Sequence, residues 1–358
     1  MRAIRVLVDT TFALRGHTGT GVYLERITRA LEEIGVDVIE AANTARRAPG
    51  AGGPRSAVNW ATDAYWTAVE LPRRVRECGA DLLHHPLPAH SAVAACPQVV
   101  TVHDLAFERL PECFDRAYRT HASVAHRRAA RRAAVVIAVS ETTARDVMAR
   151  WGVARERIVI ARHGPGQEPD TARRPRTDRP RHFLYVGDDE PRKNLDALRE
   201  AHRRYAERAD DAALPLVLAG IDELPDAERL AQLYSQAAAL VHPSLHEGFG
   251  LTPLEAMTAG TPVIAARSPG VTEVCGEAAL YVDPRDPTDL AAQMERVAGD
   301  PALRVDLCER GRRRAAEFSW ARSARCHVEA YTLAASGVPR AADVAARGGP
   351  PDVYGGNG

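Results

Sequence analysis

Lysine is almost absent from this chain. Of 47 basic residues in 358, one, Lys193, is lysine and the rest are arginine. A chain with that bias keeps a lysine where a compact, rotatable ammonium serves and a planar guanidinium fork does not, which singles out Lys193. Net charge is absent too: 47 acidic residues balance the 47 basic ones, so no global field recruits nucleic acid or a membrane surface. No apolar run reaches the roughly 20 residues of a membrane-spanning helix, which leaves peripheral contact as the only membrane role still open. The opening residues, Met-Arg-Ala-Ile-Arg-Val-Leu-Val-Asp, are too short and too charged a run for a signal peptide and predict a strand. The six cysteines, at positions 78, 96, 113, 275, 308 and 326, show no Cys-x-x-Cys and no metal-ligand spacing. That excludes a disulfide framework or a zinc module and predicts reduced thiols in a cytoplasmic protein.

What is present is a globular composition, 45% hydrophobic and 26% charged, in a chain long enough for two cores. Strand and helix patterns alternate, the signature of parallel sheets with crossover helices. In the first half, strands are expected at 4–8, 81–84, 99–102, 135–139 and 158–161. Helices are expected at 22–34, from about Trp60, and at 115–133 and 142–150. Residues 41–59 carry no periodicity and read as a surface loop. Trp60, Tyr65 and Trp66 read as the packing face of the next helix, and the arginines of 115–133 as a solvated face. A Pro-, Arg- and Asp-rich linker, 166–180, separates a domain over 1–165 from one over 181–317. A helix over 318–335 follows, then a tail, 336–358, without the composition of a packed segment.

The segment Ser-Leu-His-Glu-Gly-Phe-Gly-Leu-Thr-Pro-Leu-Glu (244–255) follows an apolar strand, 237–241, and opens a helix expected over 253–259. A glycine-flanked loop at a helix start presents free backbone N–H groups, here of Phe249, Gly250, Leu251 and Thr252, and the positive end of the helix dipole. That is an anion site, most naturally for phosphate. Glu247 and Glu255 bracket it; as acceptors they suit hydroxyls. Phosphate donors between two hydroxyl acceptors point to a nucleotide sugar. A second basic loop, Gly187 to Asn194, lies between a strand (183–186) and a helix and places Arg192 and Lys193 where a diphosphate is met. A third strand–helix turn, residues 15–21, holds Gly19 and Gly21, which permit close backbone approach and positive φ. His85 and His103-Asp104 each follow a strand's carboxyl end, the ligand edge of an open α/β sheet.

These motifs resemble the retaining glycosyltransferases of family 4, on the GT-B fold of two doubly wound Rossmann-like domains facing across a cleft. The glutamate pair at this spacing, Glu-Gly-Phe-Gly-Leu, Pro-Leu-Glu-Ala-Met, Ala-Gly-Thr-Pro-Val-Ile-Ala (259–265), Gly270-Val271-Thr272-Glu273-Val274 and Ala-Ala-Leu-Tyr-Val-Asp-Pro (278–284) carry the resemblance, nearest the mannosyltransferase-B-like branch. It implies a nucleoside-diphosphate-sugar donor and a hydroxylated acceptor: a polysaccharide, a glycolipid or a small metabolite. It implies that Lys193 and Arg192 neutralise the leaving diphosphate, that Glu247 and His103 contact the donor sugar, and that Glu255 holds the ribose. Gly19 and Gly21 close over the phosphates or meet the acceptor. Asp104 either orients His103 or faces the acceptor, with His85 beside it. The last helix crosses back onto the first domain.

Two departures from the family pattern stand out. Asp188 occupies the place directly after Gly187 where relatives carry arginine. About a dozen residues replace a helix and strand after Gly220 that commonly line the base pocket. Two cations and a helix start already balance a diphosphate, so no metal is expected. Asp283-Pro284-Arg285-Asp286 is expected at the sheet edge away from the ligand. A sugar phosphorylase, a sugar-nucleotide epimerase and a non-catalytic scaffold on the same fold are the alternatives, and the sequence specifies no oligomeric state.

Overall fold

The computed structural model describes residues 3–15, 18–46, 54–166 and 180–337. Among them the strands form two sheets in which all pairings are parallel. The first, in order β2-β1-β3-β4-β5-β6, comprises β1 Arg5–Asp9, β2 Asp37–Ala41, β3 Leu82–His85, β4 Gln98–Val102, β5 Val135–Ala138 and β6 Ile158–Ile160. The second, in order β11-β10-β9-β7-β8, comprises β7 His182–Val186, β8 Leu216–Ala219, β9 Ala237–His242, β10 Val263–Ala266 and β11 Ala279–Val282. Helices cover the faces, so central strands such as Val-Val-Ile-Ala (β5) are buried at every position and read as continuous apolar runs. Each sheet with its helices is called a domain below.

The first domain carries α1 Gly19–Glu33, α2 Pro54–Tyr65, α3 Leu71–Cys78, α4 Ala106–Arg109, α5 Arg116–Arg132 and α6 Glu141–Asp146. The second carries α7 Leu195–Ala209, α8 Ala227–Gln236, α9 Leu251–Ala259, α10 Pro269–Cys275, α11 Pro287–Gly299 and α12 Pro301–Ala315. The last helix, α13 Trp320–Ala335, is capped by the Ser319 hydroxyl, which accepts from Arg322 N. Its Ala324, Ala330 and Tyr331 join the core of Val6, Val8, Tyr23 and Ile27 in the first domain. Polar pins fix its register there: Tyr331 OH bonds His84 Nδ1 at 2.9 Å, and His327 Nε2 bonds Tyr23 OH at 2.8 Å. Among the described residues no helix is long and apolar enough to cross a membrane.

Several expectations need correction. Helix α1 begins at Gly19, because the Thr18 hydroxyl accepts from Gly21 N at 3.2 Å and caps the first turn. Gly19 and Gly21 are therefore helical, and neither takes positive φ. Helix α2 begins at Pro54, which suits a first turn, so the expected loop over 41–59 shrinks; residues 47–53 lie outside the described region. Trp66 is buried against Leu7 and Leu83 whereas Tyr65 is exposed. Helix α9 starts two residues earlier than expected, at Leu251. Strand β11 runs parallel to its neighbours, so Asp283 and Pro284 stand at the ligand edge and not away from it: Pro284 O accepts from Asn194 Nδ2 at 2.7 Å. The expected linker and tail fall almost entirely outside the described residues.

Candidate active site

The segment between β9 and α9 builds one wall. Gly250 takes φ +110°, a conformation that L side chains rarely adopt, and leads into α9. The first N–H groups of α9, those of Leu251 and Thr252, precede Pro253, which has none. Phe249 points into the core, edge-on to His163 (ring centroids 5.0 Å apart) and to Phe318 (5.9 Å). Gly248 is pressed against the first domain: a Cβ there would stand 1.8 Å from His103 O. Its own carbonyl accepts from Ser140 Oγ at 2.5 Å and Thr143 Oγ1 at 3.3 Å.

The basic loop is the second wall. Pro191–Lys193 forms a single tight turn, and Asn194 ends it at φ +59°, a conformation asparagine tolerates better than most residues. The Asn194 amide donates to Pro284 O at 2.7 Å and Pro243 O at 3.3 Å, and Arg192 O accepts from Leu245 N at 2.9 Å. Three loops are thus tied at one place. There Lys193 Nζ lies 2.7 Å from Glu247 Oε1, and Arg192 Nη1 lies 3.2 Å from Glu247 Oε2. Arg192 Nε also pairs with Glu190 at 2.7 Å. Burial works against charge on Glu247, but Lys193, His242 and Arg192 outweigh it and hold the carboxyl well below the usual range. Burial also opposes the Arg192 charge, yet Glu247, Asp104, Glu190 and Asp188 together raise it above its ordinary value. His242 lies 3.5 Å from Glu247, and its burial lowers its own pKa against the pull of that carboxylate.

Glu255 sits in α9 with 8% of its surface exposed. Desolvation pushes its carboxyl up to about 7, against the Tyr234 hydroxyl bond and the charge of Arg26, both of which lower it. Tyr234 OH donates to Oε2 at 2.9 Å. A Cβ on Gly166 would meet Glu255 Oε1 at 2.1 Å and Val22 Cγ1 at 3.1 Å, so the first turn of α1 and the end of the first domain border this carboxyl. Gly19, three residues before Val22, has no neighbour within 4 Å of a Cβ among the described residues.

From the first domain, His103 donates from Nε2 to Pro86 O at 3.0 Å, since a carbonyl only accepts, which leaves Nδ1 as its acceptor. Burial pushes its pKa down to about 4, against Asp104 and that bond. Asp104 makes no hydrogen bond to the His103 ring: Pro86 orients the imidazole, and Asp104 Oδ1 accepts from Ala106 N at 3.0 Å. Asp104's charge reaches Arg192 and His246 in the other domain. The acceptor role expected of His85 does not fit the structure. Its side chain is fully buried in β3, with Nε2 3.1 Å from Gln98 Oε1. The α5 residues Arg127, Arg128, Arg131 and Arg132 line a cavity of about 800 Å³ with Phe107 and Val124, apart from the residues above. Among the described residues no three His, Cys, Asp or Glu side chains are grouped to hold a metal ion.

Sequence reasoning missed Tyr234, Asn194, Ser140 and Thr143. Asn194 carried a usable signal, as the last residue of Arg-Lys-Asn before a helix. The other three act through contacts with residues far away in the chain, which spacing does not encode.

Two family models match the chain: "Glycosyltransferase Family 4" over residues 17–165 and "Glycosyl transferases group 1" over 221–314. The O-antigen chain mannosyltransferase B of Escherichia coli is 27% identical over 267 residues, covering 66% of this chain and 70% of that protein. Sucrose-phosphate synthase of Thermosynechococcus elongatus superposes with a TM-score of 0.73 at 19% identity, covering 92% of this chain and 98% of its own. Anabaena HepE, solved in complex with UDP, gives 0.63 at 16% identity, covering 92% and 99%. At such identities the two solved structures speak for the fold alone.

Proposed function

This chain belongs to the group 1 glycosyltransferases, on the GT-B fold, and from that premise we propose that it moves a sugar from a nucleoside-diphosphate sugar to a hydroxyl acceptor. In this reading transfer retains configuration, needs no metal and takes place in the cytoplasm. The observation that carries it is the double pairing of Glu247 with Lys193 and Arg192 beside the start of α9. Glycosyl transfer builds negative charge on the departing diphosphate while the sugar turns oxocarbenium-like. Donors fixed beforehand stabilise that charge without reorganising at the moment of reaction. Glu247 fixes both cations; Lys193 keeps further N–H donors and Arg192 keeps its outer fork for phosphate oxygens. The N–H groups of Leu251 and Thr252 add a second set. Glu255, held by Tyr234, accepts from the ribose hydroxyls, and His103, neutral with Nδ1 open as an acceptor, takes a sugar hydroxyl. Asp104 faces the acceptor. The diphosphate oxygen on the same face assists acceptor deprotonation.

Mannose is the first donor sugar to test, given the mannosyltransferase named above. The test is thermal stabilisation by UDP, GDP, ADP and dTDP, followed by transfer assays with the matching nucleotide sugars. A ligand that binds only the native state raises the melting temperature by mass action. One nucleotide should stabilise the wild type and neither Lys193→Ala nor Glu255→Ala. No stabilisation by any of them would sink the transferase reading.

A further inference from the structure

Glu273, in α10 of the second domain, directs its carboxylate entirely at the first. Oε1 accepts from Glu141 N at 3.0 Å, and Oε2 from Thr142 N at 3.1 Å and Thr142 Oγ1 at 3.4 Å. Arg162 pairs with it at 2.8 Å. Among the described residues all of these partners belong to the first domain, so the side chain holds nothing of its own domain together. With 15% of its side chain exposed, it is not simply a solvated acid.

The same helix touches the loop between β9 and α9, called here the donor loop after the proposed function, at its other end. A Cβ on Gly270 would stand 2.1 Å from Glu247 O and 2.8 Å from Gly248 C. Helix α10 is thus a short rigid strut, with the Glu247-Gly248 backbone at its start and the first domain at Glu273. On the facing side, the start of α6 grips both. Ser140 Oγ donates to Gly248 O while the next two residues donate to Glu273. Opening the cleft at α6 breaks both sets of bonds together.

We propose that Glu273 is a positioning residue: by docking on α6 and Arg162 it holds the closed arrangement in which the donor loop meets His103. This rests on the transferase reading. His103 comes from one domain and Glu247, Lys193 and Arg192 from the other, so transfer proceeds only from the closed population, and Glu273 raises that population. Charge-assisted bonds from two backbone N–H groups and a guanidinium are the strong kind.

The experiment compares wild type, Glu273→Ala, Glu273→Gln and Arg162→Met in three measurements: transfer kinetics, nucleoside-diphosphate affinity and small-angle X-ray scattering. Glu273→Ala should lower kcat/KM roughly tenfold, within the usual span of inter-site coupling. Nucleotide affinity, for which the proposed ligands Lys193, Arg192 and Glu255 all lie in the second domain, should change much less. Its radius of gyration should exceed the wild type's. Glu273→Gln keeps one carbonyl acceptor but loses the charge and should fall between the two. Arg162→Met and Glu273→Ala should be non-additive when combined. A Glu273→Ala protein with wild-type kcat/KM and scattering, whatever its melting temperature, overturns the proposal. If Glu273→Ala does not fold, Glu273→Gln carries the same comparison. If wild type transfers from no nucleotide sugar, the transferase reading fails, while the scattering comparison still decides whether Glu273 holds the domains closed.

Discussion

Lys193 and Glu247, 54 positions apart, meet at 2.7 Å between Nζ and Oε1. The only lysine of the chain is therefore positioned by a carboxylate from another loop, which takes Arg192 on its second oxygen. About 14% of the Lys193 side chain and 13% of Glu247's are exposed, so the pair is largely shielded from water, where charges interact more strongly than in bulk solvent.

Lys193→Ala should lower kcat by roughly 10²–10³, the loss typical of one transition-state donor, with circular dichroism unchanged. Lys193→Arg should lose nearly as much, because a planar fork does not fit the single contact that Lys193 makes with Glu247 Oε1. A Lys193→Arg enzyme with wild-type kcat would show that the lone lysine is an accident of composition.

Glu255→Gln should separate stability from function. Between pH 4.5 and about 7 the folded chain keeps a proton on Glu255 that the unfolded chain has lost. Stability from this group therefore falls as pH rises through that window and stays low above it. The shift corresponds to at most about 3 kcal/mol, so Glu255→Gln should melt higher than wild type at pH 8 and lose nucleotide stabilisation. Ribose hydroxyls donate to the ionised carboxylate, so wild-type nucleotide affinity should rise from pH 6 to pH 8 and level off. The glutamine variant should show no such slope in calorimetry.

The histidines should produce the opposite stability trend at lower pH. Burial pushes His103 and His327 down to about 4 and also lowers His84 and His163. Below the ordinary value of 6.5 the unfolded chain takes up protons that these buried rings refuse. The contribution of these rings to stability should accordingly drop as pH falls from 6.5 toward 4, opposite in sign to that of Glu255. Chemical denaturation at half-unit pH steps measures the slope, and His327→Asn should make it shallower. A flat profile over that range would contradict the burial of these rings.

Gly248→Ala tests the seam between the domains. Its methyl group would require His103 O to retreat from 1.8 Å, and backbone cannot yield as a flexible side chain can. We expect a loss of about 2–4 kcal/mol in stability, at the severe end for one substitution, together with near-complete loss of transfer. Gly19→Ala, whose methyl group would meet none of the described residues within 4 Å, should leave folding intact and provides the contrast.

Much of this protein was legible in one dimension. Apolar runs such as Val135–Ala138 specify strands because both faces of a covered parallel sheet are dry. The glycine-flanked start of α9 was legible as a helix start with free N–H groups, because the first N–H groups of a helix have no partner within it. Lys193, Glu247 and Glu255 stood out by residue type and order alone. Local signals failed where capping decided the outcome: Thr18 turned Gly19 and Gly21 into a helix start.

The tertiary structure decided which groups meet and what charge they carry. Sequence order placed Glu247 near sugar hydroxyls; only the fold put Lys193 and Arg192 on its two oxygens and so keeps it ionised. It likewise buried Glu255 under Tyr234 and Gly166 and pushed its carboxyl up toward neutrality. His103 and His85 look alike in sequence, each at a strand's end, yet one stands where Gly248 of the second domain meets the first and the other is sealed against Gln98. Residue types and their periodicity are properties of the chain. Desolvation and the distance between charges depend on segments far apart in it, and they exist only once the two domains have folded and closed on each other.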